Sequence, residues 1–341
     1  MGFLLNGDSG LHVAQPLTDL VVAFKPETNG FIRSKMYQRK DVQHMTDKIR
    51  RIAKADMLRL YDGKTGPDGS FGRVQYRIDS SLTFAAQVYG FEAAVDDIDS
   101  MNADAALMHA QRQALAANYA LDLALEKVAV DQLRSTSVLT NYVDYGSSAA
   151  SRWDNYASAT SDPIIDLQNW ITDVEAKCGG KRVNRLVLSR WVWNVIKNHP
   201  NVLERFKAQD STVGAILTFS WLETLCDLPA GSLTVTAATY SDSKQPSAAV
   251  QRSFIGPDVV LGHVEDGGLE DYSLGHEFAF NGYTSDPKVV LTYRDNTKGL
   301  GQDVIKVASI VDFKVTQPEA GFLAKNVVDK TASQYGTYLN T

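Results

Sequence analysis

The longest regular pattern in this sequence occupies residues 102–134, which read NADAALMHAQRQALAANYALDLALEKVAVDQLR. Apolar residues recur there in steps of three and four with polar residues between them, and this spacing predicts one α-helix. The apolar positions are Leu107, Ala110, Ala114, Ala117, Leu121, Leu125 and Val128, and the polar positions are Gln111, Gln113, Asn118, Asp122 and Glu126. Such a helix spans roughly 50 Å, more than a compact domain needs, so we expect it to act as a strut.

The residues before this helix predict a long β-hairpin. Residues 61–72 read YDGKTGPDGSFG, and so many turn-forming residues indicate an exposed tip. Residues 73–79 (RVQYRID) alternate between apolar and polar, which is typical of a strand, and residues 82–95 continue as extended chain. A hairpin of this shape has little core of its own, so we expect a neighbouring molecule to cover it.

The amino-terminal part combines an extended arm with a basic segment. Residues 1–30 carry turn signals and little periodicity, apart from a predicted short helix near 17–24. Between Arg33 and Arg59, nine Lys or Arg residues stand against three acidic ones, and the apolar residues fall near helical spacing. We therefore predict that part of this stretch is a basic amphipathic helix. Three uses stay open: a solvated face, a contact with another protein, or a non-specific contact with nucleic acid.

The second half of the chain mixes short helices with strands. Asp162 is the expected N-cap of a helix that begins at Pro163 and ends before Gly179, and Ser189 is the N-cap of the next one. Further helical segments are predicted at 190–199, 201–207 and 213–225, and strands at 182–188, 233–240, 254–264, 278–282, 288–294, 304–316 and 321–328. This mixture predicts an α+β fold, because a doubly wound fold would alternate strands and helices regularly.

Length and composition exclude several classes of protein. With 341 residues and a formal net charge of −6, the chain is expected to hold one or two cores and not to grip nucleic acid by overall attraction. Cys178 and Cys226 provide neither a disulfide framework nor a zinc spacing. The amino terminus shows no basic leader, and the most apolar stretch, 213–222, covers about half of what a bilayer requires. We expect a soluble protein, made in the cytoplasm, with no membrane partner.

No catalytic, cofactor-binding or metal-binding residue is predicted. Residues 63–65 (GKT) resemble the end of a phosphate-binding loop, but Leu58 stands where its first glycine is needed and no helix is predicted to follow. The acidic run at 96–99 lacks the glycine and the glutamate of a calcium loop. The six histidines have no catalytic or metal-ligand spacing. The tryptophans between residues 170 and 221 are expected to pack in a core, with nucleotide stacking as the alternative.

Short motifs in the second half resemble those of tailed-phage major capsid proteins. In that family an Ile-Leu helix, an Asn-x-Leu-Val-Leu strand and a helix with Trp followed by His-Pro-x-Val recur in this order. The matching segments here are DPIIDL at 162–167, KRVNRLVLS at 181–189, VW at 192–193, HPNVLE at 199–204 and the closing GFLAK at 321–325. The resemblance extends to the order of elements across nearly the whole chain, and it implies the Hong Kong 97-type fold.

The resemblance implies a division of the chain into the parts of such a capsid protein. These parts are an N-terminal arm at 1–55, an extended hairpin loop (E-loop) at 56–95, the spine helix with the first part of a peripheral domain at 96–160, an axial domain at 161–284, and the second part of the peripheral domain, with the terminal strands, at 285–341. Lys64 and Asn326 are the nearest candidates for the lysine–asparagine cross-link that some relatives form, and we expect none here.

The implied function is that of a major capsid protein and not of an enzyme. Copies would assemble as pentamers and hexamers, in the host cytoplasm, into the icosahedral shell of a virion that encloses double-stranded DNA. Implied partners are other copies, a separate scaffolding protein, a portal and a decoration protein, with non-specific contact to the packaged DNA. Two alternatives stay open: the shell of an encapsulin-like nanocompartment, and an enzyme of unrecognised class.

Overall fold

The structure, a computed structural model, describes residues 30–52, 54–61, 63–64, 69, 73–97, 106–209, 217–241, 251–265, 271–282, 288–297, 299 and 301–329. Its α-helices are α1 (Arg33–Met36), α2 (Lys54–Met57), α3 (Ala106–Leu133), α4 (Pro163–Lys177), α5 (Arg190–Asn198), α6 (Pro200–Gln209) and α7 (Phe219–Leu225). Its strands are β1 (Tyr37–Val42), β2 (Thr46–Ile52), β3 (Ile78–Ala85), β4 (Gln87–Asp96), β5 (Tyr142–Asp144), β6 (Arg185–Ser189), β7 (Leu233–Thr236), β8 (Thr239–Ser241), β9 (Gln251–Ser253), β10 (Val259–Gly262), β11 (Gly275–Phe280), β12 (Val289–Asp295), β13 (Gln302–Val315) and β14 (Gly321–Lys325). The α+β class is confirmed.

Two five-stranded sheets organise the body of the molecule. The first has the strand order β1-β11-β13-β12, and β4 also pairs with β13 over ten residues. The second has the order β5-β14-β10-β6-β7 and mixes parallel with antiparallel pairs. Both sheets contain strands from before and after residue 284. In the first sheet β11 precedes this residue while β12 and β13 follow it, and in the second sheet β14 follows it and pairs with β10. One continuous apolar core connects the sheets and the helices.

The predicted long helix is confirmed as α3. Its 28 residues make it about 42 Å long. It packs against β4 and β13, and Leu121, Leu125 and Ala129 are almost completely buried. Alanines at 114 and 117 are also buried, and their small side chains let the neighbouring elements approach closely. Among the described residues, no helix combines the length and the apolar character that a membrane span would need.

The predicted basic helix between Arg33 and Arg59 is wrong. Only the four-residue helices α1 and α2 lie in this segment, and most of it forms β1 and β2. β1 pairs in parallel with β11, and β2 pairs in an antiparallel manner with β3, with an irregularity between Ile49 and Arg51. The apolar spacing suited a helix, but a partner strand distant in sequence satisfies the backbone of an extended chain equally well.

The predicted hairpin is present, and its stem is longer than expected. Residues 73–77 are not a strand, so the predicted strand at 73–79 is regular only from Ile78. Because β3 pairs with β2, the stem already begins at Thr46. The chain then passes through Ala86 into β4, which attaches the hairpin to the first sheet. We call β2 and β3 the hairpin stem.

The predicted helix caps of the second half are confirmed. The Asp162 carboxylate accepts two backbone N–H groups in the first turn of α4, and the Ser189 hydroxyl accepts one in α5. Gly179 and Gly180 have φ values of 71° and 86°, a left-handed conformation that glycine adopts without strain, and they end α4. Pro200 begins α6 as well as ending α5, because its fixed φ suits the first helical position.

Candidate assembly surface

Exposed apolar side chains are concentrated on the hairpin. Of the sixteen large apolar side chains that are exposed in the described part of the chain, eleven lie between residues 45 and 91. They are Met45, Ile52, Met57, Leu58, Leu60, Tyr61, Val74, Tyr76, Ile78, Val88 and Phe91. Leu60 is 96% exposed. Apolar surface of this extent on one element is typical of a region that another molecule covers.

The hairpin is not free of its own chain, however. The Lys54 ammonium lies 2.8 Å from Glu319 Oε2 and also donates to the carbonyl of Lys177. The methyl groups of Leu58 lie against Gly179. These contacts hold the base of the hairpin to the body. The base of the hairpin is therefore seated on its own chain, and the expectation that a neighbour covers the hairpin stays a prediction.

The stem is fastened to the same body by an aromatic stack and an arginine. Phe84 is 6% exposed and stacks on Phe278, with ring centroids 4.5 Å apart. Arg51 donates to the carbonyl of Thr316 at 2.9 Å and binds Asp79 on the partner strand at 2.5 Å. Two large apolar side chains of the stem, Ile52 and Ile78, remain exposed.

A cavity of about 620 Å³ lies between the hairpin stem and the body, and we call it the stem cavity. Six cationic side chains line it: Lys40, Lys48, Arg50, Arg51, Lys54 and Lys181. Six apolar side chains form the rest of the surface that matters here: Ile49, Ile52, Met57, Leu58, Phe84 and Phe278. The cavity is therefore both basic and apolar.

Four of the six cations are already paired with carboxylates of the same chain. The pairs are Lys40 with Asp271, Arg51 with Asp79, Lys54 with Glu319, and Lys181 with Glu265. Lys48 and Arg50 have no carboxylate within ion-pair distance among the described residues, and both are exposed. The uncompensated positive charge of the cavity is thus that of two side chains on β2.

A buried polar cluster forms one wall of the stem cavity. His276 Nε2 lies 3.2 Å from Asp271 Oδ2, and His276 Nδ1 lies 2.8 Å from the Thr316 hydroxyl. Burial lowers the pKa of His276, although Asp271 acts in the opposite direction. Burial also opposes the charge on Asp271, but hydrogen bonds from Lys40, Ser273 and His276 lower its pKa. The wall therefore consists of a carboxylate close to Lys40, Ser273 and His276 and an imidazole that favours its neutral form.

The only cysteine on the cavity wall is chemically quiet. Cys178 is 5% exposed, and its thiol contacts the carbonyl of Glu319 at 3.4 Å. Burial raises the pKa of this thiol to about 11, so the reactive thiolate is scarce near neutral pH. Burial likewise raises the pKa of Cys226 to about 12. Neither residue suits nucleophilic chemistry.

A second polar cluster ties the end of the N-terminal arm to the spine helix. The carboxylate of Glu126 in α3 accepts the backbone N–H of Ile32 at 2.6 Å and that of Arg33 at 3.1 Å. Lys288 lies 2.8 Å from the Asp122 carboxylate and also donates to Asn118. Burial raises the pKa of Glu126, even though the two N–H groups favour its charged form. The helix α3 is thereby fixed to the chain at Ile32 and Arg33.

The sequence did not predict that Glu126 binds residues 32 and 33. It places Asn118, Asp122 and Glu126 only as polar positions between apolar ones, yet all three are buried. Their spacing of four places them on one face of the helix, and this was a usable signal. What the sequence did not provide was the partner, since Ile32 is 94 residues from Glu126.

The other motifs considered in the sequence do not form sites. Gly63 and Lys64 are not followed by a helix in the described residues, and Asp97 of the acidic run binds Arg294. Asp99 lies outside the described residues. Within the ranges that the structure covers, no group of His, Cys, Asp and Glu is arranged to hold a metal ion. The tryptophans at 170, 191 and 193 are buried, which confirms the core interpretation.

The remaining candidate residues that the structure describes contact groups of their own chain. His199 is buried, ends α5 and contacts the Ser161 hydroxyl, while His12 lies outside the described residues. Asn326 has a left-handed φ of 54°, and its side chain donates to Asp144 at 2.8 Å. The expected absence of a cross-link between Lys64 and Asn326 stays a prediction. The short helix near 17–24 also lies outside the described residues.

Solved structures share this fold over nearly the whole chain. A phage-related protein from Bordetella bronchiseptica RB50 superposes with a TM-score of 0.68 at 20% identity, covering 92% of this chain and 97% of the other. The capsid structure of cyanophage P-SCSP1u gives 0.51 at 7% identity, covering 95% and 92%. A structure from Microbacterium phage Oxtober96 gives 0.51 at 10% identity, covering 89% and 93%.

No protein-family model matches the chain, and no curated protein matches it. The fold is nevertheless that of phage capsid proteins, the Hong Kong 97 type, so the fold that the resemblance implied is confirmed. The sequence motifs at 162–204 and 321–325 fall on α4, β6, α5, α6 and β14, which form the second sheet and its helices.

Proposed function

We propose that this chain is the major capsid protein of a tailed phage. Copies associate as pentamers and hexamers and close into an icosahedral shell around double-stranded DNA. The observation that carries this proposal is the concentration of exposed apolar side chains between residues 45 and 91, on a fold shared with phage capsid proteins. A monomer that presents eleven large apolar side chains on one extended element is incomplete until other copies cover them.

The arrangement of the elements supports a separate role for each part of the chain. The axial domain, at 161–284, surrounds the five-fold and six-fold axes, and the hairpin of each copy lies over its neighbour. Each contact of this kind joins two different surfaces, so it closes into rings when the rotation between copies closes. α3 transmits load between the contacts, because its buried face is fixed to the first sheet and to the arm. The chain supplies no chemistry of its own in this role.

The enclosed DNA is held by confinement and not by attraction to the shell. The chain carries a net charge of −6, and its local excess of positive charge is directed largely into the stem cavity. A separate scaffolding protein, a portal and a decoration protein are the further partners of this proposal. Its location is the virion, after assembly in the host cytoplasm.

Electron microscopy of the purified full chain tests the proposal directly. We expect closed particles of uniform size. Deletion of residues 63–72 should leave the far-ultraviolet circular dichroism spectrum of the subunit unchanged, because these residues lie outside every described helix and strand, and it should abolish normal particles. Particles of ordinary size from the deletion variant would contradict the role of the hairpin.

The contents of the particles distinguish a phage capsid from the nearest alternative, the shell of a nanocompartment. A phage shell recovered from infected or induced cells should protect double-stranded DNA from nuclease. A shell that instead holds a folded cargo enzyme and no DNA would identify a nanocompartment. A stable monomer or small oligomer at all concentrations would contradict both.

A further inference from the structure

We propose that the stem cavity receives an acidic segment of a second copy of this chain. This inference rests on the proposed function, since it names the contact that the basic hairpin makes in the shell. It also decides between the three uses that the sequence left open for the basic stretch. The stretch is neither a solvated face nor a DNA-binding surface, and it binds protein.

The shape of the cavity is the first argument. At about 620 Å³ it accommodates a few side chains of a polypeptide, in the size range of ordinary binding pockets. A DNA duplex cannot enter it, since the major groove alone is about 12 Å wide. A protein that binds duplex backbone presents its Lys and Arg side chains in an open row, and here they surround a recess.

The apolar part of the lining is the second argument. Phe84 and Phe278 form a stacked floor, and Ile52 at 46% exposure stands at the edge. Apolar surface gains nothing from phosphate groups, but it gains from an apolar side chain that leaves water. The occupant should therefore offer an apolar anchor together with negative charge. A polypeptide segment has both, and free phosphate or duplex DNA has only the charge.

Charge complementarity identifies the occupant as a second copy. The stretch between Arg33 and Arg59 holds nine basic and three acidic residues, so the remaining chain holds 25 basic and 37 acidic residues. The body of a second copy is therefore acidic where the hairpin is basic. In a shell made of one protein, that body is also the surface present at the highest local concentration.

The free cations on β2 make the cavity selective for an acidic segment. Lys48 and Arg50 are exposed at the cavity and have no carboxylate partner among the described residues, whereas four neighbouring cations are already neutralised by the same chain. A carboxylate of a second copy would pair with Lys48 or Arg50, as carboxylates of the same chain pair with the other four cations. Because these two side chains are exposed in the single subunit, changing them should not disturb its fold.

The decisive experiment compares two charge reversals of equal size. Lys48→Glu with Arg50→Glu reverses the free cations of the cavity, and Lys35→Glu with Arg112→Glu reverses two exposed cations on α1 and α3, outside the cavity. Each reversal changes the charge by two units, so both double variants move the net charge from −6 to −10. We expect roughly a tenfold or larger fall in shell yield for the cavity variant and a change of less than about twofold for the control.

A third variant tests the cavity without changing charge. Ile52→Trp places a large side chain at the edge of the recess, and Ile52 is exposed enough to tolerate it. This variant should also lower the yield of shells, roughly in proportion to how far the indole blocks entry. Circular dichroism and thermal unfolding of the unassembled subunits verify that all variants are folded.

The outcomes separate this inference from the proposed function. Normal shell yield from the cavity double variant would overturn the inference and leave the shell function standing, and a lower DNA content in such shells would assign the cations to nucleic acid. Normal assembly of Ile52→Trp would show that only surface charge matters, and would overturn the cavity as the receptor. Failure of the wild-type chain to form shells would overturn both proposals.

Discussion

The spine helix and the hairpin are close in sequence and rich in apolar residues, yet their environments are opposite. In α3, Leu121 and Leu125 are at most 1% exposed, because β4 and β13 cover them. On the hairpin, Val74 is 67% and Leu60 is 96% exposed. The apolar residues of the helix therefore stabilise the fold of one subunit. Those of the hairpin add little to that fold and are available for association.

This contrast explains why one chain can be both stable and incomplete. Burial of apolar surface contributes free energy only where another surface removes it from water. The first sheet does so for α3 within the subunit. For the exposed apolar side chains of the hairpin, the described chain offers little cover, although Lys54 and Leu58 fix the base to the body. Substitutions in the two regions should therefore affect different measurements.

The largest effect on the subunit is expected at the buried face of α3. Leu121→Ala removes a side chain that is 0% exposed and leaves a cavity between the helix and the sheet. The free energy of unfolding should fall by about 2–5 kcal/mol. Urea denaturation followed by circular dichroism measures this loss. A loss below about 1 kcal/mol would show that α3 is less tightly packed than its contacts imply.

An intermediate effect is expected where the arm meets the spine helix. Glu126→Gln keeps the shape of the side chain, but an amide offers one acceptor oxygen to two backbone N–H groups. The free energy of unfolding should fall by about 1–3 kcal/mol near neutral pH, where the wild-type carboxylate is charged and accepts both N–H groups. Asp131→Asn, at an exposed carboxylate on the same helix, is the matched control and should change it by less than about 0.5 kcal/mol.

The loss caused by Glu126→Gln should shrink as the pH rises. Burial raises the pKa of Glu126 above its ordinary 4.5, so the folded chain holds this proton more tightly than the unfolded chain does. The resulting stabilisation of the wild type is complete below 4.5 and is lost as the pH rises through the folded pKa. The Gln variant lacks this titration. A loss that grows with pH would contradict the raised pKa.

The smallest effect on the subunit is expected on the hairpin. Leu60→Ala should change the free energy of unfolding by less than about 0.5 kcal/mol, because Leu60 is 96% exposed. The same variant should lower the yield of shells seen by electron microscopy. A clear loss of subunit stability would mean that the hairpin is covered within one chain, and the contrast between the two regions would disappear.

Local sequence patterns predicted those elements whose cause is local. The spacing of apolar residues in α3, the Asp162 and Ser189 caps and the Gly179-Gly180 helix end all act within a few residues. The helix predicted for the basic stretch was wrong, because the spacing of its apolar residues allowed either a helix or a strand. β3 decided between them, and β3 pairs with β2 across a tip of some twenty-five residues.

The candidate site was predicted only in outline. Turn residues and alternation indicated a hairpin in need of cover, and the exposed residues at 45–91 agree with that. The stem cavity was not foreseeable. It combines Lys48 from the hairpin with Lys181 from the second sheet and Phe278 from the first, and no periodicity relates these three positions.

By itself, the sequence determined the α+β class, the strut, the existence of the hairpin and the absence of any recognisable catalytic motif, because each of these depends on residues close together in the chain. Tertiary structure alone decided that the basic stretch is a pair of strands, that Glu126 binds the arm, and that six cations surround one recess. These features depend on contacts between residues up to 265 positions apart, such as that of Lys54 with Glu319. Such contacts form only when the whole core closes, since burial and pairing are properties of the folded chain.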